Sequence, residues 1–288
     1  MSSHQLLNGK ALATKVKKEI KQDIESKTLT SPDIRPPKLA VILIGEDPAS
    51  KVYVNHKVSS CKKVGIESVS HILPKECSND EAEILILKLA NDPTVDGILL
   101  QLPLPPQLNK AKLIELIPPE KDVDGLTVYS QGALSYQYDG HYPCTPLGII
   151  ELTKTTGISL SGKVAVVIGR SALVGASITR LLEYQNCTTI SIASKTIEPE
   201  KFCQQADIIV AAAGVKHLVK ENWVKNGCIV IDVGIHRTDS GLTGDVDFEN
   251  VKNKASWITP VPGGVGPMTI AMLLRNCLRA WKKNLNFE

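Results

Sequence analysis

Tyr53 and Lys57 are the residues whose types and spacing point most directly to chemistry. They lie four positions apart in the segment PASKVYVNHK, where Asp47 or Ser50 can cap the start of a helix and Gly65 supplies a stop. Residues four apart share one face of a helix, so the sequence predicts an aromatic ring beside an amine. Such a pair can stack a flat heterocycle and place a proton-transfer group against it. An isolated pair of this kind is more often a solvated lysine beside a half-buried tyrosine, so the interpretation depends on the motifs that follow.

Two polar residues in the first half of the chain can complete a site around this pair. Gln101 follows the apolar strand GILL, and the carboxyl end of a strand in an open parallel sheet faces the ligand crevice. Its neutral amide can hold Lys57 in place. Asp124, in KDVDG, supplies a carboxylate that can pair with the N–H and amino groups of a pterin-like ring. Taken alone, QLPLP is also compatible with a rigid surface turn, and KDVDG with an ordinary Asp-Gly turn.

A glycine-bearing turn in the second half is a candidate phosphate-binding loop. The segment GRSALVG, which begins at Gly169, joins the strand KVAVVIG to a helix, and backbone N–H groups at such a turn can cradle a pyrophosphate. The spacing GxGxxG does not occur there, so an ordinary turn is equally compatible. Arg170 adds a fixed cation and a forked donor. Ser194 and Lys195 stand where an acidic residue would bind the ribose of NAD, so hydroxyl and cation favour NADP.

A last loop, TPVPGGVGPMT, is unusually rich in glycine and proline. Its glycines Gly263 and Gly264 allow close approach of a ligand, and Pro267 suits the first turn of a helix.

These residues need a scaffold, and apolar strands alternate with helices along the whole chain. That pattern predicts parallel sheets covered on both faces. The predicted fold class is α/β, with two α/β lobes around a cleft, the second a Rossmann-type parallel-sheet dinucleotide-binding domain. Residues 118–146, rich in Pro, Gly, Tyr and Asp, are predicted as the hinge. The predicted domains are residues 1–141, completed by a C-terminal helix at 268–288, and residues 142–267.

Composition excludes several classes of function. The chain has 288 residues, 43% of them hydrophobic and 22% charged, which is typical of a soluble globular enzyme. Its net charge of +3 comes from scattered basic residues, so nucleic acid is not expected as a partner. No apolar run has membrane-spanning length, and the N-terminal segment is predicted to be an amphipathic helix after a short lead, not a signal peptide. Seven cysteines without a CxxC pair favour reduced thiols in the cytoplasm, and dispersed histidines predict no metal.

With these segments in order, the chain resembles the bifunctional methylenetetrahydrofolate dehydrogenase/methenyltetrahydrofolate cyclohydrolase family, often called FolD. The resemblance covers essentially the whole length and rests on PASKVYVNHK, DGILLQLPLP, KDVDG, PCTPLGI, GRSALVG, GDV and TPVPGGVGPMT. It implies oxidation of 5,10-methylenetetrahydrofolate with NADP, followed by hydrolysis of the methenyl product to 10-formyltetrahydrofolate. It also implies a cytoplasmic homodimer that acts on tetrahydrofolate derivatives in one-carbon metabolism and purine biosynthesis.

The resemblance also implies which residues act. Lys57 is the principal catalytic group, Tyr53 stacks on the folate, Gln101 positions Lys57, and Asp124 anchors the pterin. The further substrate-binding positions that it implies are Leu102, Pro103, Pro262, Gly263 and Gly264. The cofactor-binding positions that it implies are Gly169, Arg170, Ser171, Ser194 and Ile235.

One departure from the family and two alternative functions stay open. The family commonly reads VGxP after GRSxx, whereas this chain has Ser177 in place of that proline, which we expect to affect cofactor affinity. Cys144 is interpreted as a small structural residue. The alternatives are a dehydrogenase without the cyclohydrolase step, against which Lys57 and Gln101 argue, and a non-catalytic nucleotide-binding protein on the same fold.

Overall fold

The computed structural model describes residues 5–30, 33–239 and 241–287, in which the chain passes more than once between two α/β units. One unit contains the chain up to Thr14 together with Cys144–Thr269, and we call it the six-stranded unit. The other contains Lys15–Pro143 and the chain from Ile270 onward, and we call it the three-stranded unit.

The elements follow one another in α/β alternation. The strands are β1 (Gln5–Leu6), β2 (Lys38–Ile44), β3 (Glu67–Leu73), β4 (Gly97–Leu100), β5 (Val164–Ile168), β6 (Thr188–Ile192), β7 (Ile208–Ala211), β8 (Ile229–Asp232), β9 (His236–Thr238), β10 (Gly241–Thr243) and β11 (Trp257–Ile258). The helices are α1 (Gly9–Thr30), α2 (Pro48–Val64), α3 (Asn79–Ala90), α4 (Lys110–Glu115), α5 (Val128–Tyr136), α6 (Cys144–Lys154), α7 (Ser177–Tyr184), α8 (Pro199–Cys203), α9 (Phe248–Val251) and α10 (Val265–Asn284). A π-helical turn, Ala172–Ala176, precedes α7.

The three-stranded unit is built on a parallel sheet of order β3-β2-β4. Its central strand reads KLAVILI and is buried from Leu39 to Ile44, as expected for a strand covered on both faces. Helix α3 packs Ala82 and Ile86 into this core. The last helix also contributes, because the indole of Trp281 is fully buried and its Nε1 donates to Arg35 O at 3.0 Å.

Helix α2 begins and ends as its sequence predicts. The Asp47 side chain accepts a hydrogen bond from Ser50 N at 2.7 Å, so of the two predicted caps it is Asp47 that caps the helix. Gly65 ends the helix in the left-handed region, with φ 86°, which a glycine adopts at little cost.

The six-stranded unit is a parallel sheet of order β1-β11-β8-β7-β5-β6. From β5 the chain first builds outward to β6 and then returns to the other side of β5 to add β7 and β8. Strand order therefore reverses between β5 and β7, and this is the place where open parallel sheets bind ligands, at their carboxyl edge.

Several elements were not expected from the sequence. Helix α5 lies inside the predicted hinge, where Thr127 Oγ1 caps it by accepting from Ser130 N at 3.1 Å. Strand β1 pairs with β11, so the first residues belong to the six-stranded unit and not with the rest of residues 1–141. Strands β9 and β10 form an antiparallel hairpin. The predicted N-terminal lead, Met1–His4, lies outside the described residues.

The described part of the chain, with its gaps at residues 1–4, 31–32, 240 and 288, contains no helix with the length and apolar character needed to cross a membrane.

Candidate active site

Helix α2 brings Lys57 and Tyr53 together inside the three-stranded unit. Lys57 Nζ lies 4.6 Å from the centroid of the Tyr53 ring and donates a hydrogen bond to Gln101 Oε1 at 3.1 Å. The Lys57 residue is only 4% exposed. The alternative of a solvated lysine is therefore excluded, and three of the residues predicted to act together are in contact.

Gln101 is oriented by the end of β4. Its backbone N donates to Ile42 O at 2.9 Å, and its side-chain Nε2 donates to Leu102 O at 2.6 Å. The amide nitrogen is thereby engaged, which leaves the amide oxygen to face Lys57. Gln101 thus offers the lysine an acceptor without a charge. Next along the chain, Leu102 is half-buried and Pro103 is exposed.

The loop that carries Asp124 is fixed by its neighbour Asp122. The buried Asp122 carboxylate accepts from Leu126 N at 3.0 Å, Thr127 N at 2.8 Å and Ser130 Oγ at 2.7 Å. Asp124 itself is half-buried, and among the described residues its carboxylate has no hydrogen-bond partner. The loop therefore leaves one carboxylate available to a ligand. The role of Asp122 was not predicted, although the two carboxylates in KDVDG were the available signal for a pair with separate roles.

In the six-stranded unit, Gly169, Arg170 and Ser194 line one cavity of about 410 Å³. The cavity lies at the carboxyl ends of β5, β6 and β7, beside the reversal of strand order. The other lining residues were not predicted from the sequence. They lie at the ends of β5 and β6 or in the segments that follow β6 and β7: Ile168, Ile192, Ala193, Thr196, Pro199, Ala213, Val215, Leu218 and Trp223. Ser171 and Ile235 lie outside this lining.

The turn after β5 is packed backbone against backbone. Gly169 has φ +112°, and a Cβ atom there would lie 2.2 Å from Ala212 O. A Cβ atom on Gly175 would lie 2.1 Å from Gly169 O. Only glycine fits either position. The two glycines let the turn pack tightly beside the cavity that Gly169 and Arg170 line, which is compatible with the interpretation of GRSALVG as a phosphate-binding loop.

The π-helical turn that follows joins this loop to α7. Ala176 N donates to Ser171 O at 3.0 Å, and the Ser177 hydroxyl donates to Ala172 O at 2.6 Å. A proline at position 177 could make no such contact. Ser177, which replaces the proline expected from the resemblance, thus adds a hydrogen bond within the turn.

Cationic and hydroxyl groups flank the cavity at the end of β6. Arg170 Nη2 donates to Ser191 O at 3.2 Å, and the exposed Ser194 and Lys195 follow the same strand. This set offers hydroxyl and positive charge and no carboxylate, so the residues present fit a phosphorylated ribose.

The second glycine loop belongs to the six-stranded unit. Gly263 has φ +107°, and its carbonyl accepts from Lys10 N at 2.9 Å, while Gly264 is buried and Pro262 is exposed. A Cβ atom on Gly9 would lie 1.7 Å from Gly264 O. These contacts give the loop a structural role, and its role in substrate binding stays a prediction.

The cysteines are free and buried. Burial raises the pKa of the Cys61 and Cys203 thiols to about 12, so these side chains stay protonated. Within residues 5–30, 33–239 and 241–287, no cluster of three or more His, Cys, Asp and Glu side chains could hold a metal ion.

Comparison with known proteins agrees with this geometry. Residues 7–124 match the family described as tetrahydrofolate dehydrogenase/cyclohydrolase, catalytic domain, and residues 143–285 match its NAD(P)-binding domain. A protein of Aquifex aeolicus named bifunctional protein FolD is 47% identical over 279 residues, which are 96% of this chain and 95% of that protein.

Solved structures give the same result. The crystal structure of the bifunctional enzyme FolD, methylenetetrahydrofolate dehydrogenase/cyclohydrolase, from Campylobacter jejuni has a TM-score of 0.94 at 45% identity, covering 97% of this chain and 99% of that one. The Trypanosoma brucei FolD structure, complexed with NADP cofactor and inhibitor, has a TM-score of 0.95 at 32% identity, covering 99% of each chain. The predicted fold class and the resemblance are confirmed, and the chain belongs to the tetrahydrofolate dehydrogenase/cyclohydrolase family.

Proposed function

We propose that this chain oxidises 5,10-methylenetetrahydrofolate to the 5,10-methenyl form with NADP and then hydrolyses that product to 10-formyltetrahydrofolate, with Lys57 as the central catalytic residue. The observation that carries the proposal is the buried amine of Lys57, which lies between the Tyr53 ring and a neutral amide oxygen of Gln101. The chain is a member of a dehydrogenase/cyclohydrolase family, and its second family domain is NAD(P)-binding.

NADP supplies the hydride acceptor when it is bound. The Gly169 turn would hold the pyrophosphate through its backbone, and Arg170, Ser194 and Lys195 would hold the extra phosphate. Ser171 and Ile235 are further cofactor-binding positions in this proposal. The six-stranded unit then serves the cofactor and the three-stranded unit the folate.

Lys57 acts as an uncharged amine in this proposal. Loss of a hydride leaves positive charge on the carbon between two folate nitrogens, and an ammonium group at that carbon would oppose the step. The Lys57 amine is buried, and Gln101 provides an acceptor for it without adding charge.

The same amine serves the hydrolysis. As water adds to the methenyl carbon, Lys57 accepts a proton from the water and delivers a proton to the nitrogen whose bond to that carbon breaks. The formyl group stays on the other nitrogen, and one proton is released overall. A single side chain therefore assists both reactions.

Tyr53 and Asp124 hold the substrate around this amine. The Tyr53 ring offers a flat face for stacking, and the Asp124 carboxylate pairs with the N–H and amino groups of the pterin. Leu102, Pro103 and the segment 262–264 are the remaining substrate-binding positions. A homodimer, a cytoplasmic location and a role in purine biosynthesis rest on the family assignment alone.

Two assays on one preparation test the proposal. The first follows NADP-dependent formation of methenyltetrahydrofolate, and the second follows hydrolysis of added methenyltetrahydrofolate without nicotinamide cofactor. Lys57→Met should lower the hydrolysis rate by about 100-fold or more, because a general acid-base group is lost, while NADP binding and the fold survive. Lys51→Met is the matched control, since Lys51 lies on the same helix with its side chain 43% exposed and pairs with Glu46.

Retained hydrolysis in the Lys57→Met chain would remove Lys57 from the mechanism. An unmodified chain that reduces NADP without hydrolysing the methenyl compound would be a monofunctional dehydrogenase. An unmodified chain with neither activity would support the non-catalytic alternative.

A further inference from the structure

Two buried carboxylates lie near the carboxyl edge of the six-stranded sheet. Asp232 ends β8 and is 3% exposed, and Asp245 follows the β9–β10 hairpin and is 0% exposed. Carboxylates are costly to bury unless hydrogen bonds satisfy them. The donors that satisfy these two therefore show what the pair holds together.

Asp245 joins two segments that are distant in the sequence. Its Oδ2 accepts from Ala213 N at 2.7 Å and from Gly214 N at 2.8 Å, in the loop after β7. Its Oδ1 accepts from His236 Nε2 at 2.8 Å, at the start of β9. One side chain thus fixes the loop that follows β7 and the segment that follows β8.

Asp232 holds Asp245 in place. The Asp232 carboxylate accepts from Asp245 N at 2.8 Å, Val246 N at 2.9 Å and Gly234 N at 3.0 Å. The two residues therefore act in series, with Asp232 fixing the backbone of Asp245 and Asp245 fixing the loops.

Two glycines make room for this arrangement. A Cβ atom on Gly234 would lie 2.2 Å from Asp245 Oδ1, and one on Gly244 would lie 1.9 Å from Asp232 Oδ2. The carboxylates thus occupy the space that side chains at these positions would need.

The segments held by Asp245 are those that border the cofactor cavity. Ala213 lines that cavity together with Gly169 and Arg170. Ile235, a predicted cofactor-binding residue, stands between Gly234 and His236 and is 62% exposed. Asp245 itself is not among the residues that line the cavity, so any effect on the cofactor must pass through the backbone it holds.

We infer that Asp245 is a positioning residue for NADP, which fixes the Ala213–Gly214 loop and the segment of Ile235 in the geometry that receives the cofactor. His236 is the donor that ties the second segment to it. The inference rests on the proposed use of NADP and adds to it the residue that organises this side of its site.

Asp207 provides a control, because its carboxylate also links two segments, at the opposite edge of the same sheet. Its Oδ2 accepts from Val164 N at 2.9 Å, and its Oδ1 accepts from Lys225 Nζ at 2.7 Å, just before β7 begins. Asp207 links residues at or before the starts of strands, whereas Asp245 links the segments that follow the ends of β7 and β8. The Asp207 side chain is 28% exposed, whereas Asp245 is fully buried, so Asp207→Asn controls for the loss of a carboxylate that links two segments of the sheet and not for the degree of burial.

The test is NADP binding by titration calorimetry, with circular dichroism and the Tm of each variant as a check that the fold is intact. Asp245→Asn should raise the Kd for NADP about tenfold, since an amide cannot accept from His236 and the backbone amides as a carboxylate does. Asp207→Asn should leave the Kd within about twofold of that of the unmodified chain and lower only the Tm. Equal weakening by both variants, or no weakening by Asp245→Asn, overturns the inference.

A pair of variants at position 236 keeps the test decisive if Asp245→Asn does not fold. His236→Leu removes the donor and should raise the Kd for NADP about fivefold, whereas His236→Gln keeps an N–H donor and should restore most of the affinity. Equal Kd values for the two would overturn the inference. If the unmodified chain binds NADP but does not reduce it with the folate substrate, the proposed function fails while these Kd ratios still test Asp245.

Discussion

In the three-stranded unit the candidate reactive group is a side chain, whereas in the six-stranded unit the candidate cofactor contacts are largely backbone. Lys57 is buried and meets an amide oxygen and an aromatic ring. The Gly169 turn instead presents main chain packed against Ala212. Side-chain substitutions should therefore act directly on the folate chemistry, while the cofactor site should be sensitive to whatever moves its backbone.

Both regions keep a buried carboxylate that accepts three hydrogen bonds from nearby donors. Asp122 orders the loop that carries Asp124, and Asp245 orders the loops beside the cavity. In each case the buried acid organises the loop, and a neighbouring group is left free to meet the ligand. In both units a buried carboxylate therefore orders a loop. In the three-stranded unit that loop offers a second carboxylate to the ligand, and in the six-stranded unit it offers backbone groups.

The largest effect on NADP binding is expected from Gly169→Ala, which changes the backbone of the candidate cofactor site. The added methyl group would meet Ala212 O, and φ +112° is strained for alanine, so the Kd for NADP should rise about 100-fold. Hydrolysis without NADP should change little, because Lys57 lies in the other unit. Gly162→Ala is the matched control, since Gly162 has φ +77° and no atom within 4 Å of the added Cβ. Equal loss of NADP binding in both variants would attribute the effect to backbone strain alone.

One buried group in each unit, His141 and Asp232, should respond to acid with opposite sign. Burial lowers the pKa of His141 in the three-stranded unit, so the unfolded chain takes up a proton first and the stability this residue confers is lost as pH falls below about 6.5. Desolvation raises the pKa of Asp232 in the six-stranded unit to about 6, against amide hydrogen bonds that lower it. Its contribution is fully present below about pH 4 and is lost as pH rises through 6, by roughly 2 to 3 kcal/mol.

Urea unfolding from pH 4 to 7.5 measures this contrast. The free energy of unfolding of the unmodified chain should fall with rising pH relative to Asp232→Asn, and should rise with pH relative to His141→Asn. Parallel pH profiles for the unmodified chain and either variant would remove that residue from the comparison.

The smallest effect is expected from Gln101→Met, which should change hydrolysis but not NADP binding. It removes the neutral acceptor of Lys57 while keeping a side chain of similar length, so the hydrolysis rate should fall about tenfold and the Kd for NADP should stay unchanged. Gln107→Met is the control, because the Gln107 side-chain amide donates to the carbonyls of Lys75 and Cys77. A hydrolysis rate unaffected by Gln101→Met would mean that Lys57 needs no acceptor from this side chain.

Local signals made much of the fold predictable. The Asp47 cap, the Gly65 stop and the apolar run of β2 each depend on a few adjacent residues, so the sequence indicates them directly. Contact between Lys57 and Gln101 could be predicted because a strand end and a helix face both point toward a crevice. Strand β1 could not, since two residues carry no period and its partner is β11.

The hydrogen bonds of the buried carboxylates could not be predicted from the sequence for a different reason. Asp245 accepts hydrogen bonds from the backbone N–H groups of Ala213 and Gly214, which are 32 and 31 positions away in the sequence. Because every residue except proline has a backbone N–H group, the residue types give no indication of these bonds. The glycines at 234 and 244 were the available signal, because each marks a point where a carboxylate comes too close for a side chain.

The burial of every cysteine has a practical consequence for such experiments. Cys61, Cys77 and Cys277 lie in the three-stranded unit, and Cys144, Cys187, Cys203 and Cys228 lie in the six-stranded unit. Each unit therefore carries its own set of shielded sulfur atoms, which an alkylating reagent can modify only when that part of the chain opens. Mass spectrometry of the modified peptides would then report the opening of each half separately, with no engineered probe.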